Sequence, residues 1–145
     1  MIEKRTITIK ETTVRKNNKL LKGYETALKK GDISSFVTFD TYRSIAENIE
    51  KQLVGLKAKG GIIISGYKTH FIDRIIGQYE SSNEPVKGMR KGVSIEEAKE
   101  ALLSGVVKDM PLRGNGKPSR RYITDTCFVT VNPNTRELIQ VTPKR

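Results

Sequence analysis

Apolar and polar positions follow two different periods in this chain, and the changes of period predict its elements. Threonine and isoleucine alternate within residues 5–14, which predicts a short strand at the start. Apolar residues then recur every three or four positions in residues 18–30, 40–58 and 69–78, as they do along one face of a helix. Ile62–Ile64 predicts a buried short strand between the second and third helices.

The start of a fourth helix is the best-specified boundary in the sequence. Ser94 and Glu97 have the spacing of a capping box, and Val93 is placed to contact Ala98 as a hydrophobic staple. This helix is expected to end near residues 104–105, before a stretch rich in glycine and proline.

The last quarter of the chain returns to alternating side chains. Residues 122–131 predict one strand, residues 132–135 its turn and residues 138–142 the returning strand. Helices followed by antiparallel strands predict an α+β fold. We expect the helices to pack on one antiparallel sheet of about four strands that ends in a C-terminal hairpin.

Length and composition limit the classes of protein. The 145 residues suffice for one domain. We divide them into a helical N-terminal extension or adaptor part, 1–60, and a core, 61–145, that form one compact unit. No apolar run approaches the ~18 residues of a membrane-spanning helix, and the first residues lack the pattern of a secretory signal. The single cysteine, Cys127, fits a reducing compartment, so we expect a cytoplasmic protein that does not associate with membranes.

The charge is high and unevenly distributed. The net charge is +11, and residues 1–30 hold nine Lys/Arg against three Asp/Glu. Residues 31–85 are nearly balanced, while residues 86–145 hold twelve Lys/Arg against six Asp/Glu. Such an excess favours a polyanionic partner, with nucleic acid ahead of an anionic membrane. The alternative is that the charge only keeps the protein soluble.

His70, the only histidine, is the first candidate for chemistry. Histidine takes and gives protons near neutral pH, and Arg74 lies one helical turn later, where it could hold a phosphate. The alternative is an ordinary surface histidine. One histidine and one cysteine cannot form a zinc site of the usual nitrogen and sulfur ligands, so we expect neither a metal nor another cofactor.

Basic residues form the second candidate. Four cations in the glycine- and proline-rich stretch have no acidic neighbour, a composition that suits phosphate contacts: Arg113, Lys117, Arg120 and Arg121. Arg90 precedes the capped fourth helix, whose N-terminus adds favourable potential for an anion. The alternative is a solvated basic loop.

Hydroxyl and amide side chains near the final hairpin form the third candidate. The set comprises Ser119, Thr126, Thr130, Asn132 and Thr142. Thr126, Thr130 and Asn132 share one strand face by parity, and the opposite face carries Cys127, which we expect in the core. Threonine is common on the solvent face of ordinary strands, and Asn132 precedes a proline as a turn former.

The stretch from about residue 65 to the end resembles the toxin-type ribonucleases related to barnase, EndoU, colicin tRNases and RelE. The resemblance is closest to versions at the C-termini of phage minor head proteins and polymorphic bacterial toxins. The short motifs that carry it are His70–Arg74, Arg90–Glu97, Gly116–Ser119 with Tyr122, Val129–Pro133 and Ile139–Pro143. Arg136 stands where relatives tend to have a glycine in the hairpin turn.

The resemblance implies an active site across the sheet that needs no metal. His70 would transfer protons, Arg90 would stabilise charge on the phosphate, and Ser119 and Thr142 would donate hydrogen bonds to it. The expected function is a metal-independent endoribonuclease, a toxin or phage effector, that cleaves RNA, with tRNA one candidate, by attack of the 2′-OH. Its partners would be RNA and an acidic immunity protein or antitoxin, and it could be delivered into a target cell or carried in a phage particle. The alternatives are a non-catalytic nucleic-acid-binding module and an inert structural segment of a phage protein.

Overall fold

The described part of the chain forms helices and one sheet. A computed structural model describes residues 2–78, 91–112 and 116–144, with side chains described from residue 15 onward. In chain order the elements are α1 (Ile2–Lys30), α2 (Phe39–Gln52), β1 (Gly66–Tyr67), α3 (Thr69–Ile76), α4 (Ile95–Ser104), β2 (Val106–Met110), β3 (Ser119–Ile123), β4 (Cys127–Val131) and β5 (Glu137–Pro143). The predicted α+β class is confirmed.

The described strands form one mixed sheet in the order β1-β5-β4-β3-β2. Neighbours from β2 to β5 are antiparallel, and β4 and β5 form the predicted C-terminal hairpin. The two-residue β1 pairs with β5 in parallel, so the sheet has five strands and is mixed, which differs slightly from the predicted antiparallel sheet of about four strands. A strand of two residues is too short to produce an alternating pattern in the sequence.

Three predicted strand segments differ from the structure. Residues 5–14 belong to α1, so the short threonine–isoleucine alternation does not override the helix-forming residues that follow it. Ile62–Ile64 forms only an isolated bridge between Lys57 and Ile63, although Ile64 is buried. The predicted strand over residues 122–131 is divided into β3 and β4 by a turn, where the Thr124 hydroxyl accepts hydrogen bonds from two backbone amides.

The helices pack on one face of the sheet, where α4 contacts β3 and β4 and α3 contacts β5. One cluster of buried side chains joins all four helices to the sheet, and it includes Ala27, Ile49, Phe71, Leu102 and Val129. Residues from both sides of position 60 therefore share this core. Burying such side chains supplies the main favourable free energy of folding.

The predicted cap of α4 is confirmed. The Ser94 hydroxyl accepts from the Glu97 amide at 3.0 Å, and the Glu97 carboxylate accepts from the Ser94 amide at 3.2 Å. Burial alone would raise the pKa of Glu97, but hydrogen bonds from the Ser94 amide and hydroxyl hold this pKa below its ordinary value. The predicted staple residues Val93 and Ala98 are both buried.

Ser94→Ala is expected to lower the free energy of unfolding by about 1 kcal/mol, because the substitution leaves the Glu97 amide without its acceptor. Urea denaturation followed by circular dichroism measures the change. Ser104→Ala is a matched control at the other end of α4, where the exposed hydroxyl donates to a carbonyl within the helix. Equal losses in the two variants would show that the capping box contributes nothing particular.

Candidate functional site

The sheet face that points away from the helices, here called the open face, carries most of the predicted hydroxyls and cations. Tyr122, Val129 and Val141 are fully buried beneath the helices. Because successive side chains of a strand point to opposite faces, their neighbours lie on the open face. By this parity and the strand register, the open face carries Lys108, Ser119, Arg121, Ile123, Phe128, Thr130, Gln140 and Thr142.

Four polar side chains form one row across the open face. Lys108 of β2 pairs with Arg121 of β3, which pairs with Thr130 of β4. Thr130 pairs in turn with Gln140 of β5. Directly opposed residues have Cβ atoms about 5 Å apart, so these side chains can act on one ligand. From β2 to β5, the row therefore consists of two cations, a hydroxyl and an amide.

Two atoms in the middle of this row are buried without a hydrogen-bond partner among the described residues. They are Nε of Arg121 and the hydroxyl oxygen of Thr130. The Thr130 residue is only 6% exposed. Arg121 places its guanidinium 4.5 Å from the centre of the Phe128 ring, a cation–π contact that favours this position of the guanidinium. An unpaired buried polar group costs about 1–3 kcal/mol, and such groups often mark a binding site.

A groove of about 150 Å³ runs beside Thr130. Its lining comprises Lys117, Pro118, Ser119, Thr130, Asn132, Ile139 and Gln140. The groove thus joins four of the candidates named from the sequence, namely Lys117, Ser119, Thr130 and Asn132. The side-chain oxygen of Asn132 accepts from the amides of Asn134 and Thr135, so this oxygen shapes the hairpin turn.

Arg120, next to Arg121 in the chain, has a different environment. Side chains alternate along β3, which places Arg120 on the helical face, the face of the sheet that the helices cover. There its Nε donates to Asp109 at 2.6 Å. This hydrogen bond from the guanidinium to Asp109 raises the pKa of Arg120. The predicted pair of RNA-binding arginines therefore lies on two faces of the sheet, and only Arg121 belongs to the open face.

His70 lies on α3, between the sheet and α1, with the predicted neighbour Arg74. Arg74 Nε donates to Nε2 of His70 at 3.0 Å, and Nδ1 lies 3.9 Å from the Asp73 carboxylate. Asp73 is 6% exposed and accepts from the Tyr42 hydroxyl at 3.1 Å. Burial and this carboxylate raise the pKa of Tyr42, so the hydroxyl stays protonated and donates.

The structure separates the predicted catalytic groups. Ser119 and Thr142 lie on the open face, whereas His70 and Arg74 lie on α3, which packs on the helical face. The sheet therefore stands between the histidine and the late hydroxyls. Arg90 and Arg113 lie outside the described residues. Cys127 is buried as predicted, and burial raises the pKa of its thiol, which disfavours a nucleophilic role.

Sequence reasoning missed several groups that the fold brings to these surfaces. Lys108 was missed because β2 was not predicted. Thr130 was among the candidate hydroxyls and had the correct parity in the sequence, and only its burial was missed, because that depends on the neighbouring strands. The cavity beside His70 is also lined by Lys19, Lys22 and Asp32, and only the packing of α1 against α3 reveals this.

Comparisons with protein-family models, with curated proteins and with solved structures find no match to this chain. The resemblance to toxin-type ribonucleases therefore stays a prediction. Among the described residues, no helix has the length and apolar character needed to cross a membrane.

Proposed function

We propose that this protein binds RNA along its phosphate backbone through the open face of the sheet. The observation that supports this most directly is the pair of buried unpartnered atoms on Arg121 and Thr130. A phosphodiester has two non-bridging oxygens that share one negative charge. Arg121 Nε and the Thr130 hydroxyl could donate to these two oxygens at once if the side chains that cover these two donors move aside. Lys108 adds a second cation in the same row.

The charge and the composition of the open face agree with backbone contacts. The net charge of +11 attracts a polyanion over a long range. Phe128 is the aromatic residue of the open face in the described strands, and its ring contacts Arg121, so base stacking contributes little. Hydroxyl and amide groups of Ser119 and Gln140 in the groove suit the 2′-OH of RNA, which can both donate and accept.

Fluorescence anisotropy with a labelled single-stranded oligoribonucleotide tests this proposal. Contacts to about three phosphates should give a slope near −2 in log affinity against log salt, since each single-strand contact contributes about −0.7. DNA of the same sequence is the control, and we expect it to bind more weakly because it lacks the 2′-OH. Absence of binding at low salt, or binding that salt does not weaken, would contradict the proposal.

A second candidate function is the metal-independent endoribonuclease, and the arrangement around His70 favours it. A buried carboxylate, Asp73, lies beside one ring nitrogen, and a guanidinium, Arg74, contacts the other. In this reaction a base takes the 2′-OH proton, and O2′ forms a bond to phosphorus while the bond from phosphorus to O5′ breaks. The 5′ oxygen takes a proton, which leaves a 2′,3′-cyclic phosphate and a free 5′-OH.

His70 could act as that base only if Nε2 becomes accessible. The Arg74 guanidinium would leave Nε2 for the RNA phosphate, since a charged acceptor forms the stronger hydrogen bond. This version of the enzyme would work on the helical side and would not use Ser119 or Thr142. As a toxin or phage effector it would call for an acidic immunity protein, whose carboxylates could occupy the phosphate positions.

A further inference from the structure

We propose that the cavity between α1 and α3 binds a phosphate group at a second site, distinct from the open face. The cavity has a volume of about 340 Å³. Its lining comprises Lys19, Lys22, Gly23, Thr26, Lys30, Asp32, Thr69, His70 and Asp73. The site does not depend on RNA binding at the open face, because the sheet separates the two surfaces.

The charges of the lining favour an anion. Lys19, Lys22 and Lys30 come from α1 and outnumber the carboxylates of Asp32 and Asp73. Asp73 is buried, and one of its oxygens accepts from the Tyr42 hydroxyl, so this residue does not present a fully exposed carboxylate. The half-buried Asp32 is the other carboxylate of the lining.

The start of α3 adds a second attraction. Thr69 and His70 are the first two residues of this eight-residue helix, and they line the cavity. The N-cap residue Lys68 makes no side-chain hydrogen bond to the helix amides. The N-terminus of a helix carries partial positive charge, which adds to that of the three lysines.

Gly23 permits the close approach that forms the cavity. A Cβ atom at this position would lie 2.9 Å from Cγ2 of Thr69 and 3.2 Å from the Tyr42 hydroxyl oxygen. Glycine in the middle of a helix costs up to about 1 kcal/mol relative to alanine. Here it lets α1 bring its lysines against the first turn of α3.

A divalent cation is the alternative occupant. Among the described residues, Asp32, His70 and Asp73 place possible ligand atoms within 4.8 Å of one another. However, Nε2 of His70 accepts a hydrogen bond from Arg74, so the proton of the neutral ring is on Nδ1, the nitrogen that faces Asp73. A metal on Nδ1 would require a neutral ring to carry its proton on Nε2, where it would face the Arg74 donor, and the lysines would repel the cation. The cavity therefore suits a phosphate better.

The single histidine makes the test direct, because every imidazole signal in a ¹H–¹⁵N spectrum comes from His70. The protein is titrated with inorganic phosphate at constant ionic strength, with chloride as the matched anion. We expect the ring signals to shift and to saturate with phosphate but not with chloride. Lys19→Ala with Lys22→Ala should weaken the phosphate affinity at least tenfold. Lys29→Ala, an exposed residue of α1 outside the cavity, should not change it.

A second arm distinguishes the source of the phosphate. An oligodeoxyribonucleotide, which lacks the 2′-OH and resists cleavage, is added in place of inorganic phosphate. Saturation by inorganic phosphate indicates a small phosphate ligand, while saturation by the oligonucleotide alone indicates a backbone phosphodiester. Both results support the site. If neither probe moves the His70 signals, or if the lysine variants bind like the wild type, the proposal is wrong, whatever the open face binds.

Discussion

Arg121→Ala is expected to weaken RNA binding about tenfold, whereas Arg120→Ala should change it less than about twofold. The two arginines are neighbours in the chain and carry the same charge, so long-range attraction is equal for both. Arg121 has an unpartnered Nε on the open face, while Arg120 is bonded to Asp109 on the other face. One charge-assisted hydrogen bond is worth about 1.5 kcal/mol, which is about tenfold in affinity.

Anisotropy titrations at several salt concentrations measure both variants. In the Arg121 variant, the slope of log affinity against log salt should correspond to about one phosphate contact fewer. The Arg120 variant should keep the slope of the wild type. Equal losses would mean that only the net charge matters. In that case the open face would have no specific role.

His70→Ala is expected to lower RNA cleavage by about 10²–10⁴-fold if the chain is a ribonuclease, the usual span for a positioned general acid or base. The assay uses total RNA with EDTA, so that contaminating metal-dependent nucleases are inactive. The matched controls are Ser119→Ala and Thr142→Ala, since these residues lie on the far side of the sheet. Cleavage in His70→Ala and circular dichroism of the variant are compared with those of the wild type.

The controls separate two versions of the enzyme. Unchanged cleavage in the Ser119 and Thr142 variants, with a large loss in His70→Ala, would place the reaction in the cavity beside α1. A loss in all three would mean that the hydroxyls and the histidine act together, against the separation seen in the fold. Wild-type cleavage in a folded His70→Ala protein would remove His70 from the mechanism.

The sequence predicted those elements whose ends are set by side chains nearby in the chain. The capping box at Ser94 fixed the start of α4, because its hydrogen bonds lie within one turn. The final hairpin was predicted because Asn132 and Pro133 form a turn between alternating residues. The adjacency of His70 and Arg74 followed from helical spacing and is confirmed by the hydrogen bond between them.

Features that depend on distant parts of the chain were not predictable in this way. The parallel pairing of β1 with β5 joins residues about 70 positions apart, and β1 has no periodic signal of its own. The assignment of Arg120 and Arg121 to opposite faces required the register of β3. The separation of His70 from Ser119 followed only from knowing which face the helices cover, and no spacing in the sequence encodes this.

Backbone amide chemical shifts test most directly whether the open face contacts the RNA backbone. The ¹⁵N-labelled protein is titrated with a single-stranded oligoribonucleotide at low salt, and the shifts are mapped onto the strands. We expect the largest saturable shifts at the four residues of the cross-strand row, Lys108, Arg121, Thr130 and Gln140. Saturable binding that leaves these four amides unshifted would show that RNA binds elsewhere on the protein.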